Sequence, residues 1–246
     1  MLILAASNVF SLAYSQSDPF GKVVILSLVL LSMVCWMTLI YKLWMVYQVS
    51  RLSRYFEGAL KAQKAPLLTL DASSFPALKA QGSPHPFHHI FFSVKGKTID
   101  LLNKNQYFLS QGGSSSNAYL TANDLNVLEA YGLMIISSQN NLLERYLFIL
   151  PTIVTLAPFL GLLGTVWGIL ETFTGLQGGG SLGSSSAILG GISTALATTV
   201  LGLIIAIPAL IGSNYLKNYL KRYLSEMDDF LTLIISQIEI QYRKVE

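Results

Sequence analysis

The sequence predicts an all-α integral membrane protein with three transmembrane helices, and two observations carry that reading. Only 12% of the 246 residues are charged and 52% are hydrophobic, with a mean hydropathy of +0.52. A soluble chain carries about 25% charged residues, so lipid is the expected solvent. The charges are also clustered, which leaves uncharged runs at 23–41, 146–170 and 172–216. A helix needs about 20 apolar residues to cross a bilayer core.

Residues 1–20 lack the basic start of a signal peptide and read as an external interfacial segment. The first transmembrane helix is expected at 21–42. Residues 43–145 follow as a loop with helices, of which 66–117 hold all the prolines outside the membrane helices except Pro19, with the "QGGSSSN" stretch, and read as loop and short helices. From about residue 118 the pattern turns helical, with Leu125, Leu128, Tyr131 and Ile135 at spacings of three and four and Thr121 or Asn123 as N-cap. Nothing but Gly132 interrupts it before the second transmembrane helix, 146–171, so one continuous rod from about 123 to 171 is expected. The polar stretch "TGLQGGGSLGSSS" cannot sit in hydrocarbon and makes 172–186 a loop. The third transmembrane helix, 187–216, continues into a charged amphipathic tail, 217–246.

Orientation follows from the basic residues. Lys42, Arg51, Arg54, Lys61 and Lys64 follow the first helix and Lys217, Lys221 and Arg222 follow the third, whereas 173–186 has none. The positive-inside rule places the N-terminus and the 172–186 loop outside, and 43–145 and the tail in the cytoplasm. The second and third helices then extend as long cytoplasmic helices. Their apolar stripes call for self-association, so a ring of copies is the expected assembly.

Several signals are weak. "GGGSLG" at 178–183 satisfies G-x-G-x-x-G but follows no strand, so it is not a nucleotide site. "PHPFHH" brings His85, His88 and His89 together without a carboxylate or cysteine, and reads as a flexible loop with incidental histidines. The single Cys35 excludes a disulfide within the chain, and a net charge of +3 without aromatic interleaving argues against nucleic acid. No metal or cofactor is expected. Nor is catalysis, because no nucleophile and base share a face.

The second and third helices sort into two faces on a helical wheel. Ala157, Gly161, Gly164, Thr165, Gly168 and Thr172 share one arc, opposite Phe159, Leu162, Leu163, Val166 and Leu170. Gly191, Ala195, Thr198, Thr199, Gly202, Ala206 and Ala209 share another. Matched small faces ordinarily mean two helices in contact. The alternative is a polar path, since a hydroxyl both donates and accepts hydrogen bonds and Thr165 and Thr199 could border water and protons.

"APFLGLLGTVWGIL" and "GISTALATTVLGLIIAIPAL" resemble the second and third membrane helices of the TolQ/ExbB/MotA proton-channel family, most closely TolQ and ExbB. The resemblance is specific over about 155–212. It implies a multi-pass protein of the bacterial inner membrane with a periplasmic N-terminus and a cytoplasmic C-terminus. It also implies a homopentamer whose pore holds a dimer of a single-helix TolR/ExbD-type partner, a further TolA/TonB-type partner, and proton flow that drives work in the envelope. Carried over by position, Thr165 and Thr199 become pore-lining threonines and Pro208 the proline of the A-I-P-A pattern, with Gly161, Gly164, Gly168, Ala195, Gly202 and Ala206 as the packing and pore face. The family usually has a glutamate where this chain has Thr194, while Glu171 is a carboxylate that the family does not generally have; both are candidates for the ion path. The short segment before the first helix favours TolQ over ExbB. The competing function is a passive membrane scaffold or transporter component in which the threonines only pack helices.

Overall fold

Helix starts in this chain follow from local chemistry. In the computed structural model, which describes residues 14–15, 17–62, 67–69, 85–111, 119–177 and 185–243, Asp18 precedes Pro19 and caps the first helix. Its carboxylate accepts the backbone N–H of Phe20 (3.2 Å) and Gly21 (2.8 Å). Pro19 sits at the first helical position, where its missing N–H costs nothing. Helix α1 then runs over Pro19–Ala62, far past the expected end near residue 42. Helix α2 spans Pro86–Gln111 and again opens on a proline. The histidine segment expected in a flexible loop is therefore the first turn of a 26-residue helix.

Helix α3, Ala122–Glu144, starts at the Thr121 cap, with Thr121 and Asp124 forming a reciprocal capping box. The expected continuous rod from 123 to 171 is broken at residues 145–148, where Tyr146 adopts a left-handed φ of 65°. Pro151, just downstream, favours a break here, although Pro158 and Pro208 lie inside helices that continue through them. A continuous helix would drive the Pro151 ring against the Leu147 carbonyl and leave that carbonyl without its donor. With helix α4 restarting over Ile149–Gln177, Pro151 falls in a first turn, and the Leu150 N–H takes the Leu147 carbonyl instead (3.3 Å). Helix α4 also runs past residue 171, so the beginning of the expected 172–186 loop is helical; residues 178–184, with the glycine-rich motif, lie outside the described residues, as does most of the 1–20 segment. Helix α5, Ser185–Tyr242, is a single 58-residue helix that includes Pro208 and the whole described tail.

Among the described residues, three helical stretches are long and apolar enough to cross a membrane: Pro19–Leu60, Ala122–Gly175 with the turn at 145–148 inside it, and Ile188–Tyr242. The chain divides into two compact units, each with its own core. Unit 1 is Met1–Lys42 with Tyr146–Leu216; unit 2 is Leu43–Arg145 with Lys217–Glu246. The dividing residues are the charges that bound the uncharged runs of the sequence.

Unit 2 corrects one expectation directly. The apolar stripes of α3 and the tail do not wait for other copies of the chain. Leu125, Leu128, Ile135, Ile136 and Leu143 of α3 are buried, as are Leu220, Met227, Phe230, Leu231, Ile234 and Ile238 of α5. The same unit contributes Phe56 and Leu60 from α1 and Phe87, Ile90, Phe91 and Val94 from α2, also buried. Gly132 lies directly against the Leu231 side chain. At the far end, the Leu120 N–H donates to the Tyr242 carbonyl (2.9 Å). Asn105 donates to both the Asp124 carboxylate and the Tyr119 carbonyl (3.0 Å each). Partial burial raises the acid range of Asp124, but its bonds from Thr121 and Asn105 outweigh that and hold the carboxyl below its ordinary value.

Candidate functional site

The small faces of α4 and α5 meet within one chain, in an antiparallel seam inside unit 1. Its contacts pair descending positions of α5 with ascending positions of α4. Were a Cβ present on Gly202 it would lie 2.5 Å from the Ala157 carbonyl oxygen, and one on Gly161 would lie 2.9 Å from both the Thr198 carbonyl oxygen and the Thr199 Cα. A Cβ on Gly164 would meet the Thr198 hydroxyl at 2.5 Å, and one on Gly168 the Ala195 Cβ at 2.9 Å. Gly191 lies against the Thr172 hydroxyl. At Gly161 and Gly202 the opposing backbone occupies the space of a side chain, and at Gly164, Gly168 and Gly191 the side chains of Thr198, Ala195 and Thr172 do.

That close approach brings the hydroxyls of α5 within reach of the α4 backbone. Thr198 Oγ1 donates to the Gly161 carbonyl at 3.1 Å and to Ala195 of its own helix at 2.7 Å. Thr199 Oγ1 reaches the same Gly161 carbonyl at 3.1 Å and Thr165 Oγ1 at 3.3 Å, and Thr165 in turn donates to the Leu162 carbonyl at 2.7 Å. The two expected pore threonines thus form an ordered pair, Thr199 to Thr165. Thr165 is 7% exposed and Thr199 is half-buried, so the pair sits in a partly closed seam, next to the buried Thr198. A hydroxyl that accepts on one side and donates on the other has the polarity a proton relay needs. Here, however, the last donor ends on a carbonyl, which has no proton to pass on. Conduction requires the Thr165 hydroxyl to turn away from Leu162.

The remaining candidates sort differently. Ala195 and Ala206 are buried, and Pro208 is half-buried inside α5. Thr194 donates to the Gly190 carbonyl of its own helix (2.8 Å). Five residues before Thr199, it points roughly 140° away around the helix and is not part of the Thr165 pair. Glu171 is exposed and lies six residues beyond Thr165, about 9 Å along the axis. Its carboxyl hydrogen-bonds the carboxyl of Asp18 rather than any threonine. Asp18 also accepts the Trp167 indole N–H (2.9 Å), and Phe20 packs on the Trp167 ring at 4.3 Å between centroids. Partial burial pushes the Asp18 carboxyl up, but the Trp167, Gly21 and Phe20 N–H bonds outweigh it and leave the group below its ordinary range. This brace between the start of α1 and the end of α4 escaped the sequence reading. Its signal was the Asp18-Pro19 pair, a helix-start pattern in the text of the sequence. Thr198 was on the small arc but was not singled out, although it makes the shorter contact with Gly164.

Runs 146–170 and 187–216 contain no Asp, Glu, His, Lys or Arg. The site is therefore a glycine-lined, hydroxyl-bearing helix pair without an ionisable group, in helices long and apolar enough to cross a membrane. That combination defines a class of multi-pass helical proteins whose polar seam is held by threonines. The model of the MotA/TolQ/ExbB proton channel family matches residues 108–229. Among known proteins the chain is similar to biopolymer transport protein ExbB of Salmonella typhimurium, 27% identical over 82% of this chain and 74% of the relative. ExbB of Neisseria meningitidis is 25% identical over 88% of this chain and 91% of the relative. The biopolymer transport protein ExbB-like 3 of Synechocystis sp. is 36% identical, over 42% of this chain and about half of the relative's length, 48%. The chain belongs to the MotA/TolQ/ExbB proton channel family, and the matched stretch contains the whole α4–α5 seam.

Proposed function

We propose that this chain is the multi-pass subunit of a proton-motive-force-coupled complex of the ExbB or TolQ type in a bacterial inner membrane. In this reading its N-terminus is periplasmic and its C-terminus cytoplasmic. It is a channel subunit, not an enzyme. The observation that carries the reading is the Thr199–Thr165 contact at 3.3 Å, partly buried among glycines in two runs, 146–170 and 187–216, that contain no Asp, Glu, His, Lys or Arg. A threonine can hand on a proton but cannot store one at physiological pH, so the titrating group must come from a second polypeptide. A single-helix partner of the ExbD/TolR kind, bearing a carboxylate, fits that requirement, with several copies of this chain, a pentamer in the family pattern, enclosing a dimer of it. The names of the relatives favour biopolymer transport over the TolQ role to which the short N-terminal segment pointed.

A second reading has its own support. Each of Thr165, Thr172, Thr194, Thr198 and Thr199 has a backbone carbonyl as acceptor, which is what helix packing alone would produce. The two readings separate on Thr165→Val and Thr199→Val. Valine keeps the shape and deletes the hydroxyl. The coupled reading expects normal amounts of folded protein and loss of partner-dependent work in a complementation assay. Full complementation by both variants would establish the scaffold.

A further inference from the structure

The part of α1 that belongs to unit 2 sorts into two opposed faces. Met45, Val46, Val49, Ser53, Phe56 and Leu60 are buried and share an arc about 100° wide. Across from them Trp44, Tyr47, Arg51, Arg54 and Tyr55 share an arc of about the same width, and all five are exposed. The one acid between residues 43 and 62, Glu57, falls outside that arc. This face therefore combines large rings with fixed positive charge and no counter-charge of its own. Its place along the helix is the second observation. The same helix holds the uncharged run 23–41, which ends at Lys42. Counted from there, Trp44 and Tyr47 lie about 3 and 8 Å further along the axis, within the polar layer of about 5–8 Å that covers each side of a bilayer core. Indole and phenol rings concentrate at that level. Arg51 and Arg54 lie about 14 and 18 Å along by their backbone. Helical side chains lean towards the helix N-terminus, however, and that is the end of α1 that holds the apolar run. Arg54 shows the lean, since its Nη2 donates to the Ser50 hydroxyl, one turn back, at 2.9 Å.

We propose that this face of α1, from Trp44 to Tyr55, docks on anionic phospholipid headgroups of the leaflet at which the first span ends. The two rings fill the headgroup layer, and the guanidinium groups of Arg51 and Arg54 reach back to the lipid phosphates, which their planar fork of donors fits. A zwitterionic lipid brings its own cation beside each phosphate, so the uncompensated arginines select a headgroup with net negative charge. The same face of a second copy is a poor occupant, because arginines would meet arginines there. The expected size is about fivefold in relative lipid affinity for each arginine, screened by salt. The inference rests on α1 crossing a bilayer, as in the proposed function, and not on the proton path.

Trp44 reports on the site directly. Full-length protein carrying Trp36→Phe and Trp167→Phe is reconstituted in phosphatidylcholine bilayers with added brominated phosphatidylcholine or brominated phosphatidylglycerol, and quenching of Trp44 gives the relative affinity of the two lipids beside it. Phosphatidylglycerol should be favoured about fivefold or more at low salt, and the preference should fall towards one in the double variant Arg51→Gln, Arg54→Gln and at high salt. A preference near one with both arginines present overturns the proposal. So does a preference that survives the glutamine variant, or one abolished by inorganic phosphate at constant ionic strength, which would mark a site for free anions. Trp36 lies inside the apolar run, and as the sole tryptophan it separates the docking from the span. Quenching of Trp36 but not of Trp44 by either lipid would show another protein surface on this face and overturn the docking alone; quenching of neither would overturn the span with it. Should the tryptophan variants fail to fold, native mass spectrometry of the native chain with added phosphatidylglycerol or phosphatidylcholine decides. Retention of phosphatidylglycerol that drops about fivefold or more in the glutamine variant supports the proposal, and equal retention by both proteins overturns it.

Discussion

The two units are held together in opposite ways. The α4–α5 seam of unit 1 closes on its smallest residues: Ala157, Ala195, Ala206 and Ala209 are buried with glycines and threonines, beside the larger Leu28, Leu150, Ile153 and Leu216 of the same unit, while Met33 and Phe159 are each 68% exposed. Unit 2 closes on its largest: Phe56, Phe91, Tyr223, Met227 and Phe230 are all buried. Under the proposed topology the difference is one of solvent, lipid around unit 1 and water around unit 2. Where the surroundings are as apolar as the side chains, burying a leucine gains little, and association comes from close backbone approach and hydroxyl bonds. In water, burying an aromatic side chain is the main gain. The change in packing mode falls at Lys42, Arg145 and Lys217, where the sequence changes from uncharged to charged.

The largest expected effect breaks this comparison at its glycines. Gly202→Ala puts a methyl group against the Ala157 carbonyl, part of a backbone that cannot turn aside, so α4 and α5 must separate. Overpacking of this kind costs about 1–3 kcal/mol. The Thr198 and Thr199 bonds to Gly161 should weaken as well. In unit 2, Gly132→Ala meets the Leu231 side chain rather than backbone, so the neighbour that must shift is a side chain, and alanine returns up to about 1 kcal/mol of helix propensity. Thermal unfolding in one detergent should show a large drop for Gly202→Ala and a small change for Gly132→Ala. Equal drops would mean that both units pack alike.

A smaller effect sharpens the picture at the edge of unit 1. Asp18→Ala removes the α1 cap and the acceptor of the Trp167 indole, at a cost of about 1 kcal/mol for the cap. Its pH dependence has a definite sign. The folded-state value of Asp18 is depressed, so its stabilising contribution is present above the unfolded value of about 3.9 and fades as pH falls through the lower folded value. The gap between native protein and variant should thus be widest near neutral pH and narrow below about 4. A gap that widens on acidification would reassign the charge to Glu171.

Much of unit 1 could be read in advance because its rules are one-dimensional. Uncharged runs mark helices in an apolar solvent, and a 100° periodicity puts Gly161, Gly164 and Gly168 on one face. What that periodicity cannot state is which helix the face meets. Partner and register come from tertiary contact, and Thr198 gains its weight only from lying opposite Gly164. Unit 2 was less legible. Its α2 sits among prolines and histidines that locally resemble a loop, and its stability derives from Phe87 and Phe91 meeting Phe56 and Phe230 across long sequence separations. The break at 145–148 was only partly within reach: Pro151 favours a first turn, but Pro158 and Pro208 lie inside continuous helices, so a proline alone does not fix where a helix ends.

The smallest expected effect is a gain, and it isolates the reason for glycine in each unit. Gly58 on α1 and Gly96 on α2 are exposed helical positions in unit 2, and a Cβ at either would meet nothing within 4 Å. Neither has the positive φ that would make a side chain strained. With no contact to lose and no backbone conformation to protect, alanine should act mainly on the unfolded chain, which has fewer conformations to surrender on folding. The gain is about 0.5–1 kcal/mol at each position and should add across the two, which lie on different helices. A double variant Gly58→Ala, Gly96→Ala with a higher melting temperature and unchanged oligomer profile would show that glycine in unit 2 is incidental, in contrast to the seam of unit 1. A loss of stability or a shifted oligomer profile would instead show that these two exposed positions are covered by another molecule, and would extend to unit 2 the close-approach packing assigned here to unit 1 alone.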